Sequence, residues 1–436
     1  MTHLYNPLTN RKPSSSRFLD AIMLSGILMF AFMPVTHAAS PSGAITLEQV
    51  VMNVLEYNPQ LRMNGYETNA AASRVRQAAQ GKPLEVTLEM QDFAGSGTYN
   101  GINRLETTLS LGKVLELGGK ASSRENLAQQ RVSLLNNKQD SKRMDLLAMV
   151  AEQFMRVVVD QHRLNIAREQ LNLVKRTHEI VAQRVQVGRS HVAELRREAI
   201  ALTRAEIDLE HAEHGLAFSR LKLATSWGET NPQFSLARAD LFELPAVHSF
   251  EQLEMLMVNN PDLTRFATEE RVAQARLRLA EARQASNLKL SAGLRYFNEQ
   301  KDGALVLSVS MPFGSSTRAR PYIEEMQSLA KREPLRYEQQ RLTLLSSLYE
   351  IYQELLHAQG AFEALNQKMI PEAERAVNDY EKGYKSGRFS LLELNETQRI
   401  LLDARLEAVL TAANYHRFRI EIERLTGAAM RSGVNP

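Results

Sequence analysis

The chain has no cysteine, a single tryptophan and only 6% aromatic residues in 436 positions. Without cysteine there is no disulfide framework, no thiolate metal centre, no cysteine nucleophile and no acylated N-terminal cysteine of the lipoprotein kind. Glycine and proline are unevenly placed: Ala121 to Val187 contains neither over 67 consecutive residues. Strands joined by tight turns are excluded there, and at ~1.5 Å per residue one helix across the stretch would be about 100 Å long. An excess of one charge sign is missing too. The formal charge is +3, much of it from Arg11, Lys12 and Arg17 near the start, so nothing points to nucleic acid as a partner. No Ser/His/Asp set is evident, and Leu117-Gly118-Gly119-Lys120 lacks phosphate-loop spacing and reads as a strand-to-helix turn. His211 and His214 share a helix face beside Glu210, but further zinc ligands at defined spacing are missing, so a solvated surface is the better reading. The expectation is a protein that is not an enzyme and holds neither cofactor nor metal.

What is present begins with an address. Arg11, Lys12 and Arg17 precede an apolar run from Ala21 to Val35, and Thr36-His37-Ala38 offers a small-residue cleavage site. The run is shorter than the ~20 residues a spanning helix needs. Residues 1–38 therefore read as a signal peptide, and the mature protein as exported. Beyond it the chain is written twice. Thr46-Leu47-Glu48-Gln49-Val50 with Asn58-Pro59-Gln60-Leu61 returns as Ser249-Phe250-Glu251-Gln252-Leu253 with Asn260-Pro261-Asp262-Leu263. Gly188-Arg189 and Glu194-Leu195 recur as Gly387-Arg388 and Glu393-Leu394, in each case 199 residues further on. Such a duplication is one structural unit used twice, expected over 39–231 and 232–436.

Two periodicities fill each unit. Val150, Val157, Leu164 and Leu171 mark a heptad in the first long helix, expected over about 119–186. After Gly188 the returning helix, about 191–227, carries Leu195, Leu202, Leu209, Leu216 and Leu223, a stripe made for another helix. The second copy repeats the scheme at about 317–385 and 389–426, with Pro334 and Pro371 expected to bend its long helix. Period-two segments at about 84–93 and 104–113, and again at 288–297 and 304–313, read as two hairpins with one apolar face each. Each strand has the length of a tilted bilayer crossing, and Phe93, Tyr296, Phe297 and Phe313 stand where an aromatic girdle would. Four strands cannot close a barrel, and open edges are forbidden in hydrocarbon, so several chains would have to share one. Two chains would give a barrel filled by side chains; three would leave a lumen.

From about Ile45 to Gly427 the duplicated Asn-Pro starts, paired hairpins, very long helices and glycine tips resemble the TolC-like outer-membrane factors. The resemblance implies a mainly α fold with a small β part. Three chains would build a helical tunnel and a shared transmembrane β-barrel in the outer membrane, extending into the periplasm. The missing lipoprotein cysteine and the Ile370-Pro371-Glu372 insert look most like the heavy-metal cation efflux branch. The implied function is the exit duct of a tripartite pump for small solutes or metal cations. Its implied partners are a second and third copy, a periplasmic adaptor, an inner-membrane pump of the RND type and outer-membrane lipid. The turns Gly188-Arg189-Ser190 and Gly387-Arg388-Phe389-Ser390 fall where the family docks its adaptor, and Glu194, Glu393, Glu396 and Tyr384 where it narrows its aperture. Phe389 departs from the arginine some members carry, which puts their ion-pair network in doubt here. A periplasmic coiled-coil adaptor and a duct for polypeptide secretion are the alternatives. The duplicated hairpins and strand pairs speak against the adaptor.

Overall fold

The computed structural model describes residues 43–427; the segment read as a signal peptide lies outside them. Each copy begins with a short helix, α1 (Leu47–Tyr57) or α5 (Phe250–Met257). Both start in a capping box, Thr46 with Gln49 and Ser249 with Gln252, where two side chains satisfy orphan N–H groups reciprocally. A helix opened by proline follows, α2 (Pro59–Ala79) or α6 (Pro261–Ala282). Then come two antiparallel strands, β2 (Leu84–Gln91) and β3 (Glu106–Leu115), or β5 (Leu288–Phe297) and β6 (Asp302–Ser310). The long helix of the first copy is α3 (Lys120–Gln186), and α4 (Val192–Thr225) returns from its tip. In the second copy α7 (Ser315–Ala364) and α8 (Ile370–Lys385) take the place of α3, and α9 (Leu391–Thr426) returns. A two-residue parallel pair, β1 (Ala44–Ile45) on β4 (Leu236–Ala237), ties the start of the first copy to the connection between copies.

The expected bends in the second long helix resolve differently from each other. Pro334 sits inside α7, which passes through it unbroken. The interruption is a π-helical turn at Leu365–Met369, directly before Pro371 in the first turn of α8. Proline removes one i→i−4 hydrogen bond and clashes with the preceding turn, and widening to i→i+5 relieves both. The strands sit up to two or three residues from their expected ends: residues 92–93, 104–105 and 311–313 pass the pattern test without pairing across the sheet, while 114–115 and 302–303 pair beyond the expected ends.

The helices form four columns. α2, α3, α6 and α7 pack in that order beside the sheet, and the strands continue them one to one as β2, β3, β5 and β6. Towards the tips, α4 replaces α2 beside α3, and α9 replaces α6 between α3 and the α7/α8 column. Two asparagines splice the stacked helices. Asn58 accepts from Gln60 N and Leu61 N at 2.9 and 3.1 Å, capping α2, while its Nδ2 donates to the Ser226 carbonyl just after α4, at 2.7 Å. Asn260 accepts from Asp262 N and donates to the Leu425 carbonyl in the last turn of α9, each at 2.7 Å. The duplicated Asn-Pro is thus a splice between a returning helix and the one that carries its column on to the sheet. Asn260→Ala removes a cap worth about 1 kcal/mol and leaves a buried carbonyl without its donor, a further ~1–3 kcal/mol. Denaturant unfolding followed by circular dichroism is expected to show the combined loss of ~2–4 kcal/mol, and Asn260→Asp, which keeps the cap but sets a carboxylate against the Leu425 carbonyl, no smaller a one.

The sheet has two unlike faces. Val86, Leu88, Leu109, Leu111, Leu294, Leu305, Leu307 and Val309 line one face across all four strands and are at least half exposed. The opposite face carries ion pairs, Arg295 with Glu106 at 2.9 Å and Lys289 with Glu85 at 2.7 Å, and Arg295 Nε donates to Thr108 Oγ1. A continuous bare apolar sheet face beside a polar one calls for an apolar medium on one side and water on the other. β2 and β6 each pair on one side only among the described residues. Phe93 and Phe313 are exposed beyond their strands, and Tyr296 and Phe297 end β5.

Candidate functional site at the helical tips

Both tips are built on the same backbone device. α3 ends with Gly188 at φ 71°, Gly188 N donating to Val185 O at 3.0 Å and Arg189 N to Arg184 O at 2.8 Å. α8 ends with Gly387 at φ 75°, Gly387 N donating to Tyr384 O at 3.0 Å and Arg388 N to Gly383 O at 2.8 Å. This pair of bonds is the Schellman motif, which satisfies orphan carbonyls and requires a left-handed residue at the turn. Each returning helix then starts from a cap at the matching position. His191 Nδ1 accepts from Ala193 N at 3.1 Å, and Ser390 Oγ accepts from Glu393 N at 3.3 Å.

The side chains around these turns are exchanged between the copies. In the first, Arg184 is large and Ser190 small, and Arg184 Nε donates to Ser190 Oγ at 3.0 Å. In the second, the matching residues are Gly383 and Phe389, and a Cβ on Gly383 would stand 2.1 Å from the Phe389 ring. That ring also packs on Tyr380, with centroids 4.5 Å apart. Phe389 stands where some TolC-like members carry an arginine; here a guanidinium reaches the tip from Arg184 instead.

Arg184 joins the two hairpins. Its Nη1 donates to the Tyr384 carbonyl at 2.6 Å and to the Lys385 carbonyl at 3.3 Å, its Nη2 to the Arg189 carbonyl, and its plane lies 4.6 Å from the Tyr384 ring centroid. Tyr384 is 2% exposed, packed with Val181, Leu391 and Leu394, and its hydroxyl donates to Glu194 Oε2 at 3.2 Å. Burial, with the Glu194 charge beside it, pushes that hydroxyl above its ordinary pKa. One layer deeper, Asn395 Nδ2 donates to Glu198 Oε1 at 2.8 Å, and Gln398 Nε2 to Thr177 Oγ1 at 3.1 Å. Glu198 is 1% exposed.

The three glutamates singled out in the sequence therefore have different settings. Glu194 is half-buried against Tyr384. Glu393 is exposed and accepts from the Ser390 backbone N and Oγ, both at 2.8 Å, completing a capping box; the backbone N–H holds its carboxyl below the usual range. Glu396 is exposed and paired with Arg399 at 2.6 Å, which lowers its pKa likewise. Arg189 and Arg388 are exposed at the apices of the turns. His211 and His214 lie exposed on α4, and among the described residues no three metal-ligating side chains converge. Trp227 is buried just past α4, its Nε1 donating to Glu229 Oε2 at 2.9 Å, a packing residue.

Comparison with known proteins agrees with this architecture. The chain is 25% identical over 321 residues to the cobalt-zinc-cadmium resistance protein CzcC of Cupriavidus metallidurans, covering 74% of this chain and 77% of that protein. It is 23% identical over 376 residues to the pyoverdine export outer membrane protein OpmQ of Pseudomonas aeruginosa, covering 80% and 79%. Among solved structures, CusC superposes with a TM-score of 0.73 at 16% identity, over 87% of this chain and 91% of the other. VceC of Vibrio cholerae gives 0.69 at 14% identity, over 87% and 96%. Residues 50–229 and 253–428, the two copies in turn, match the outer membrane efflux protein family, and the chain is a member of that family.

Proposed function

We propose that three copies of the chain form an outer-membrane exit duct, which an inner-membrane pump and a periplasmic adaptor use to expel small solutes or metal cations. The observation that carries this is the four-stranded sheet, apolar and bare on one face, ion-paired on the other, with β2 and β6 each paired on one side only. In hydrocarbon such edges must meet other strands. Three chains supply a twelve-stranded barrel with a lumen, where two would give one filled by side chains. Since each strand continues a helix column, closing the sheet also closes the columns into a tube that reaches into the periplasm. Similarity to CzcC favours a metal-related cargo and similarity to OpmQ an organic one.

In this reading the tips are the periplasmic end. Gly188, Arg189 and Ser190, with Gly387, Arg388, Phe389 and Ser390, present the adaptor-docking turns. Tyr384 from the second hairpin, held by Arg184 and Glu194 of the first, keeps the aperture narrow, and Glu393 and Glu396 flank it. Cross-linking and native mass measurement of the protein extracted from outer membranes test the assembly. A trimer is the expected result, and a soluble periplasmic monomer would overturn the reading.

A further inference from the structure

A groove of about 1110 Å³ is cut into the helix layer on the sheet side of the molecule, with walls from α2, α3, α6 and α7. In the trimeric reading the face that carries this groove is the inner wall of the tube. Six cations line it, Arg74, Arg124, Arg131, Lys138, Arg276 and Arg283, and no Asp or Glu does. Composition does not explain this, because the chain as a whole has 53 basic and 50 acidic residues.

Only one of the six has a carboxylate partner among the described residues. Arg124 holds Glu116 with two bonds of 2.7 Å and also donates to the Ala78 and Gln80 carbonyls. Arg283 lies over the Tyr322 ring, 5.7 Å from its centroid, with its charge free. Arg74, Arg131, Lys138 and Arg276 are exposed into the groove. Between them the lining is apolar apart from Gln77, with Leu127 and Leu279 packed together from α3 and α6 and Met326 from α7. Uncompensated charges of one sign in a concavity with low-dielectric walls focus their field into it. Guanidinium groups match carboxylate, sulfonate and phosphate oxygens two at a time and stack on aromatic planes.

We infer that this groove is a transit site for organic anions, molecules with a carboxylate, sulfonate or phosphate group on an apolar or aromatic body. Its place inside the duct rests on the trimeric reading; the groove itself is built by a single chain. Free metal cations gain nothing from it. A membrane lipid is the less suitable occupant, since the inward side of the wall is screened from the bilayer.

The probe is pyrene trisulfonate, an aromatic trianion, titrated by fluorescence anisotropy against the full-length protein in phosphatidylcholine nanodiscs. Saturable binding is expected, weakened by added salt and by at least about tenfold in the Arg131→Gln/Arg276→Gln/Arg283→Gln variant, since charge-assisted bonds are lost. The three side chains are exposed, and an unchanged circular dichroism melt checks the variant's fold. Equal affinity in parent and variant, or equal binding of a cationic pyrene, would overturn the proposal. So would loss of dye binding when phosphatidylglycerol is added to the nanodiscs, which would assign the groove to lipid headgroups. Cross-linking of the same samples separates the two readings: arginine-dependent binding by a monomer sinks the trimer and keeps the anion site, and a trimer without arginine-dependent binding does the reverse.

Discussion

Replacing Gly387 with valine is expected to abolish the proposed efflux while leaving the protein at its normal abundance. Gly387 sits at φ 75°, and a Cβ there meets nothing within 4 Å, so crowding is not the obstacle. The obstacle is the backbone. A β-branched residue held left-handed carries about 1–3 kcal/mol of strain, and the exposed turn can shed it by abandoning the Schellman bonds. Arg388, Phe389 and Ser390 then move, and with them the surface offered to the adaptor. Gly387→Asn separates shape from side chain, since asparagine tolerates this conformation, and it should retain most activity. The measurement is resistance restored to a strain lacking the gene, with protein level followed by immunoblot. Full resistance in the valine variant at normal abundance would remove the turn from the docking site.

Arg184→Ala should open the aperture. The guanidinium bonds to carbonyls of the opposite hairpin at Tyr384 and Lys385 and to Ser190 of its own, and covers the Tyr384 ring. Charge-assisted hydrogen bonds contribute ~1.5–3 kcal/mol each, less than additively. A net loss of ~3 kcal/mol shifts an open-to-closed ratio more than a hundredfold. Single-channel recording of the purified protein in a planar bilayer is expected to show open probability or mean conductance raised by about tenfold or more, with Arg184→Lys intermediate because an ammonium lacks the planar fork. Traces indistinguishable from the parent would mean that the hairpins are held together elsewhere, for example by Glu198 and Asn395.

What could be read in the sequence was whatever repeats locally. α3 covers Lys120–Gln186, within a residue of the stretch free of glycine and proline, because a heptad over such a length admits one structure. The two glycine turns were legible for the same reason, each ending a periodic segment. Arg184 was not, because the partners that join it to the other hairpin are backbone carbonyls 200 and 201 residues away, and a carbonyl has no sequence signature. Comparison of the copies held a signal: position 184 is arginine where 383 is glycine, and 190 is serine where 389 is phenylalanine. The role of Glu393 was also visible, since Ser390 three residues earlier makes a capping box, and a carboxylate occupied with its own helix start contributes less to a pore. Glu198 has no sequence signature that separates it from a solvated helix charge, since its partner Asn395 comes from α9, 197 residues away.

If the tips are the docking site proposed above, the exchange of bulk between Arg184/Ser190 and Gly383/Phe389 would set the symmetry that a partner meets. With three chains, six turns ring the periplasmic mouth, and their main chains repeat nearly every sixty degrees. The side chains repeat only every one hundred and twenty, alternating a cationic turn with an aromatic one. A collar of six identical adaptor subunits would then engage the backbone six times over in the same way but the side chains in two ways, three contacts of each kind. Pairs of adaptor subunits, and not single ones, would become the natural unit of assembly on this rim.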